Sequence, residues 1–308
     1  MAIADRITLT DLDVELYTIP LTQGPPRSGL ILELVSSDAK KSYGDAAPLP
    51  RWSVETLEEA AQQIQQKKQE ILDRKWQSST CFQQLVELNL YPSLAFALES
   101  ALLSLLSPLP ERRAPKSALF LGSPKEILKQ AEKRLQEGYV SAKLKVGHLS
   151  FNEAKELIFQ LKDLFHLRID VNRAWQTKES LHFFSTFALD AFDYVEEPFS
   201  DPQDLAKFTH PLAIDESFPR NLSLKQLEQL PRLKALIYKP TLQGGLAYCV
   251  NLCAWCQKRN VSFVLSSSFE SHLGLSHIVS MANRLNLSTP LGLGTQDYLI
   301  NQLELRPL

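Results

Sequence analysis

With 308 residues, 44% of them hydrophobic, and a formal charge of −2 from 33 basic against 35 acidic side chains, the chain can bury a barrel-sized core and a smaller one beside it. No dense basic run or basic-aromatic motif occurs, which removes nucleic acid and anionic membranes as favoured partners and points to a small-molecule ligand. Four cysteines in this length do not make a disulfide framework.

The N-terminal MAIADRITLT lacks the basic-then-apolar pattern of a secretory leader, so the protein is expected in the cytoplasm. ITLTDLDVELYTIPL and GLILELVSS predict two antiparallel strands. The proline-rich PLTQGPPRSG between them reads as a long hairpin loop and a natural lid. VETLEEAAQQIQQKKQEILDRK and SLAFALESALLSLL carry helical periodicity, giving an α+β domain in the first third of the chain. Leu94–Leu109 is the most apolar stretch. Glu99, three serines and the closing Pro108 leave it too short and too polar for a membrane span.

From residue 117 a unit repeats: a short aliphatic or β-branched run, a turn, then a segment of helical period. The runs are SALFLG, YVSAKLKV, LRIDVN, FDYVEE, LAIDES, ALIYKP, SFVLSS and LGLG, and eight of them separated by helices predict a parallel sheet closed into a (β/α) barrel. An open doubly wound sheet would carry G-x-G-x-x-G after an early strand, and the 11 glycines supply none. Cys249, Cys253 and Cys256 in CVNLCAWC have the spacing of an iron–sulfur site. They also share one face of the helical GGLAYCVNLCAWCQKRN, where buried cysteine serves as a small hydrophobe, and packing is the reading preferred.

The barrel runs end in polar residues, where barrel enzymes keep their chemistry: Lys143 and Lys145 on the second, Asp170 on the third, Glu196 and Glu197 on the fourth, Asp215 on the fifth, Lys239 on the sixth, and Ser266, Ser267 and Ser268 on the seventh. Alternation assigns their faces. Arg168, Asp170 and Asn172 oppose Leu167, Ile169 and Val171; Asp215 opposes Ile214; Lys239 opposes Tyr238. The apolar side must meet the helices, so the charges point into the barrel mouth. The same parity favours Glu196 over Glu197 as the inward acid. Asp170, Glu196 and Asp215 on consecutive strands would repel one another without a cation, and hard oxygen ligands suit Mg2+. Ion pairing with the lysines alone is the competing reading, weakened because desolvation of buried charges is often not offset. A buried lysine beside a cation has its ammonium form disfavoured and can act as a base near neutral pH, here on a proton alpha to a carboxylate.

At this point the chain resembles the enolase superfamily, in its muconate lactonizing branch, and most closely the o-succinylbenzoate synthases. The likeness runs through GDAAPLPRWSVETLEEA, PSLAFALESAL, AKLKVG, LRIDVNRAW, VEEPF, DES, YKPTLQGG, SSSFESHLGL and LGLGT. It implies a modified TIM barrel, (β/α)7β, over residues 99–294, with an α+β capping domain over 1–98 and a tail, 295–308, packing on the cap. It also implies Mg2+ on Asp170, Glu196 and Asp215. Lys145 would be the acid/base residue, Lys239 the stabiliser of the enediolate on the opposite face, and Lys143 would set the electrostatics of Lys145. Ser266, Ser267 and the backbone near Gly292 fall where the family holds the succinyl carboxylate, with Asn172, Arg168 and the lid around Arg27 behind them. The implied reaction is a Mg-dependent lyase step, syn dehydration of 2-succinyl-6-hydroxy-2,4-cyclohexadiene-1-carboxylate to 2-succinylbenzoate in menaquinone synthesis. An N-succinylamino acid racemase would use the same residues and stays open at this point. LGLGTQD in place of the Asp-x-Asp of dipeptide epimerases argues against a bound peptide amine. The partner expected is a small-molecule carboxylate, for a monomer or small homo-oligomer.

Overall fold

The computed structural model describes residues 6–22, 24–108 and 114–300. The first part is an antiparallel sheet of β1 (Arg6–Ile19), β2 (Arg27–Ser36), β3 (Lys41–Ala46) and β4 (Lys75–Gln77) in the order β3-β2-β1-β4. β1 and β2 are the two strands that alternation predicts. KSYGDA, which becomes β3, offers little alternation of its own and is fixed by pairing with β2. Helices α1 (Leu57–Asp73), α2 (Cys81–Glu87) and α3 (Pro92–Leu106) cover the sheet. The start of α1 is set by a capping box: Glu59 N–H donates to Thr56 Oγ1 at 3.1 Å while Thr56 N–H donates to Glu59 Oε2 at 2.8 Å. α3 is buried on nearly every side, as its composition requires, and it runs unbroken across the expected boundary between residues 98 and 99.

Close approach of α3 to β3 depends on Gly44, because a Cβ there would collide with the Ala97 carbonyl, a backbone atom that cannot swing away. Gly44→Ala is therefore expected to lower stability by about 3 kcal/mol. A urea midpoint equal to that of the parent protein would refute this.

The second part alternates strand and helix: β5 (Ala118–Phe120), α4 (Pro124–Gln136), β6 (Ser141–Lys145), α5 (Phe151–Leu161), β7 (His166–Asp170), α6 (Thr177–Phe184) and β8 (Tyr194–Glu196). Next in the chain are a 3-10 turn (Pro202–Lys207), β9 (Leu212–Ile214), α7 (Leu224–Leu227), β10 (Leu233–Tyr238), α8 (Pro240–Gln243), α9 (Leu246–Lys258), β11 (Ser262–Leu265) and α10 (His272–Arg284). The seven strands are parallel and pair in chain order. The eighth predicted run closes the ring. Leu291 bridges Lys116 beside β5, and Gly292 bridges Ser266 just after β11. This is a (β/α)7β barrel. Leu144, Ile169, Val195, Ile214, Leu236 and Leu265 pack outward into the helix-facing core. Tyr194, Ala213, Ala235, Ile237 and Val264 fill the lumen. Cys249, Cys253 and Cys256 are free thiols on the buried side of α9 and belong to the helix-facing core.

Two buried carboxylates of the first part reach the barrel helices. Asp45 Oδ2 accepts from Ser271 N–H at 2.9 Å and from its hydroxyl at 2.6 Å, at the start of α10, while Tyr17 donates to Asp45 Oδ1 at 2.8 Å. Glu99 on α3 accepts from the N–H groups of Leu246 and Ala247, at 2.5 and 2.7 Å, at the start of α9. The loop expected as a lid is tied down at its start: Thr22 N–H donates to the Tyr298 carbonyl at 2.9 Å, and Ile300 N–H to that of Pro20 at 3.0 Å. Residues 301–308 of the expected tail, and Gln23 of the loop, lie outside the described residues. No helix among the described residues is long and apolar enough to cross a membrane.

Candidate active site

The C-terminal ends of the strands open on a cavity of about 200 Å³, the scale of a small organic molecule. Strand register puts the charges there. Lys143, Arg168 and Tyr194 lie side by side across β6, β7 and β8, and one layer higher Lys145, Asp170 and Glu196 do the same. Lys143 bridges two acids, 2.8 Å from Asp170 Oδ2 and 2.5 Å from Glu196 Oε1. Lys145 lies 3.4 Å from Asp170 Oδ2 and donates to Asn172 Oδ1 at 2.9 Å. Lys239, from the end of β10, pairs with Asp215.

Among the described residues no three acid, histidine or cysteine side chains are gathered as a ready-made metal cage. The lysines neutralise the acids instead, since carboxylates crowded at one end of a barrel need positive charge from some source. The donor set nevertheless fits a hard cation. Asp170, Glu196 and Asp215 are all buried, and Glu196 Oε2 has no hydrogen-bond partner among the described residues. Burial pushes the Glu196 carboxyl well above its usual range, with the Asp170 charge adding to the rise and Lys143 opposing it. At Asp170 burial acts in the same direction, but Lys143 and Lys145 outweigh it and hold that carboxyl at about 2. Burial lowers Lys143 and Lys239, yet the surrounding carboxylates prevail, raising Lys143 well above the ordinary lysine value and Lys239 above it too.

Glu196 and Glu197 part company at the strand end. Glu197 adopts φ +45° and turns from the lumen, accepting at 2.9 Å from the N–H groups of both Asp215 and Ser217 and at 2.6 Å from the Ser217 hydroxyl. It thus holds the turn that carries Asp215. Burial, aided by Glu216, pushes the Glu197 carboxyl up to about 7 against those donors from Ser217. Asn172, also left-handed at φ +49°, donates its N–H to Asp170 Oδ1 at 2.9 Å. Its side chain borders the cavity and orients Lys145.

Ser266, Ser267 and Gly292 meet at the closing seam. Both hydroxyls donate to the Gly292 carbonyl, at 3.1 and 3.0 Å, and Ser267 also shares a 2.5 Å hydrogen bond with Thr295. Arg168 borders the cavity, but its guanidinium donates to the Pro290 carbonyl at 2.9 Å, pairs with Asp193 at 3.4 Å and stacks on Tyr194. That makes it a brace across the barrel interior rather than a free anion receptor. Arg27 is not on the cavity wall: it is buried and donates to the Pro48 and Ala47 carbonyls. The lid expectation shifts accordingly, because the first part contributes Leu49 and Trp52 to the wall and no described residue of 20–28. Glu216, Phe269 and Thr295 also line it, although strand parity selects none of them and only Glu216 carries a charge. Each lies one to three positions from a predicted site residue, in DES, SSSFES or LGLGT. Proximity to those motifs is the only signal the sequence carries for them.

The family described as "Enolase C-terminal domain-like" matches residues 126–300, and "MenC, N-terminal domain" matches residues 16–105. An o-succinylbenzoate synthase of Pasteurella multocida is 31% identical over 297 residues, covering 91% of this chain and 85% of that protein. Among solved structures, an o-succinylbenzoate synthase of Thermosynechococcus elongatus, described as complexed with Mg in its active site, superposes with a TM-score of 0.76 at 23% identity, over 95% of both chains. The L-Ala-D/L-Glu epimerase of Bacillus subtilis gives 0.80 at 19% identity, over 96% of this chain and 92% of that one. The two structures share the fold and separate no substrates. The sequence relative and the MenC match do separate them, and with the enolase-type match they place the chain in the o-succinylbenzoate synthase family of the enolase superfamily, a family of lyases.

Proposed function

We propose that the cavity dehydrates 2-succinyl-6-hydroxy-2,4-cyclohexadiene-1-carboxylate to 2-succinylbenzoate, with Lys145 as acid and base. The observation that supports this best is that Lys145 and Lys239 come from different sides of the ring, β6 and β10, yet border one cavity with Glu196 between them in strand order. Asp170, Glu196 and Asp215 would hold Mg2+, which when bound supplies positive charge for the negative charge that develops on the substrate carboxylate. Lys145 Nζ, steadied by Asn172, takes the proton alpha to that carboxylate and returns one to the hydroxyl as water leaves from the same face. Lys239 faces the other side with an ammonium that its carboxylate neighbours keep charged, and stabilises the enediolate. Lys143 tunes the field around Lys145. The Ser266 and Ser267 hydroxyls, turned from the Gly292 carbonyl to the substrate, and the backbone near Gly292 receive the succinyl carboxylate, while Leu49, Trp52 and Phe269 enclose the hydrocarbon ring. The product is aromatic, so the barrier to lower is that of proton abstraction.

The test is loss of the cyclohexadiene absorbance on adding protein with Mg2+, then with excess chelator. Conversion that stops on chelation is the expected result. A folded, Mg2+-binding protein that leaves the diene intact overturns the reading, and solvent deuterium entering an N-succinylamino acid at its alpha carbon would then establish racemisation.

A further inference from the structure

Lys239 is the first residue of a compact turn. It caps α8, its own N–H donates to Gln243 Oε1 at 3.0 Å, and Gly244 N–H returns to the Pro240 carbonyl at 2.7 Å. The Tyr238 hydroxyl closes the turn from below by donating to the carbonyls of Gln243 and Gly244, at 2.9 and 3.0 Å. A turn so cross-linked moves as one piece, and its direction is set by what it joins, β10 on one side and α9 on the other. Glu99 fixes the second of these. Both of its oxygens accept from the first N–H groups of α9, and α3, which carries it, packs against α8. Gly245 makes the contact possible, since a Cβ there would press into the Glu99 carboxylate.

Glu99 is buried and lies within ion-pair distance of no basic side chain among the described residues, the Arg284 charge acting on it from further off. An acid in that state is a poor device for stability alone. Burial pushes its carboxyl up to about 7 even against its two backbone donors. We propose that Glu99 is a positioning residue for Lys239: from the capping side it anchors the α9 N-terminus and so aims the Lys239 turn at the cavity. The role assigned to Lys239 rests on the proposed function. The anchoring of the turn does not.

The experiment pairs Glu99→Gln with Gly245→Ala, which disturbs the same contact from opposite sides. Each is compared with the parent protein in steady-state kinetics and in amide hydrogen exchange over residues 239–247. The expected result is a kcat lower by about tenfold with KM within about twofold, and faster exchange at Leu246 and Ala247. In a Lys239→Ala background, Glu99→Gln should lower kcat no further. Unchanged exchange, or faster exchange with kcat intact, overturns the proposal. So does an equal loss of kcat with and without Lys239, because Glu99 would then act on the fold as a whole. If Glu99→Gln does not fold, Gly245→Ala carries the same comparisons. If the parent protein does not turn over the diene, the proposed function fails, and the exchange data alone decide whether Glu99 holds the turn.

Discussion

Lys145→Ala is expected to reduce turnover by about 10⁴-fold, the upper range for removing a general acid and base, while Mg2+ still raises the melting temperature. The size of the effect follows from one amine serving both proton transfers. Retention of Mg2+ follows from geometry: Lys143, not Lys145, bridges Asp170 and Glu196, so the acids keep their nearest lysine in the variant. Lys145→Arg sharpens the result. An arginine can keep the ion pair with Asp170 but does not give up its proton near neutral pH, so it should be as inactive as alanine. If arginine retained a substantial part of the activity, Lys145 would be an electrostatic group and proton transfer would have to be reassigned. Diene absorbance and thermal melts with and without Mg2+ read both arms.

Glu196→Gln should reverse the usual link between stability and activity. Without a cation, Glu196 is a buried acid near the Asp170 charge with one oxygen unpartnered, and a neutral amide of the same shape relieves that strain. Lys143 keeps Asp170 as a partner at 2.8 Å. The metal-free variant is therefore expected to melt at or above the parent protein. With Mg2+ the order inverts. A parent protein with Mg2+ at 100 times its dissociation constant gains about 2.7 kcal/mol, several degrees for a chain of this size, whereas the variant has lost a ligand and gains almost nothing. Turnover should fall with that binding. An identical Mg2+ shift in variant and parent would remove Glu196 from the proposed metal site.

The parts of this fold that show in the sequence are those where one physical rule acts alone. β1 and β2 alternate, α1 opens with a capping box, and each barrel run pairs an apolar face with a charged one, so element type and facing come from neighbouring residues. β3 and α2 escaped because partners distant in the chain fix them: β3 is held by β2 and by the space Gly44 leaves for α3. The same limit applies at the site. Parity predicts that Glu196 faces the lumen, where it meets Lys143. It says nothing about Glu197 reaching Ser217 through a left-handed backbone, nor about Arg168 being occupied by Asp193, Pro290 and Tyr194. Leu49 and Trp52 are visible only as part of a resemblance, because a wall built across two cores has no local signature.

The Leu291–Gly292 seam also bears on how a partly folded molecule behaves. The Gly292 carbonyl that takes the Ser266 and Ser267 hydroxyls belongs to the segment that completes the ring. A chain halted with seven strands formed would already hold its acids and lysines, and so the reactive half of the proposed chemistry. It would lack the pocket for the substrate's tail. Such a chain would be silent rather than promiscuous, because on the proposed function the substrate's tail has its pocket only once the ring is closed.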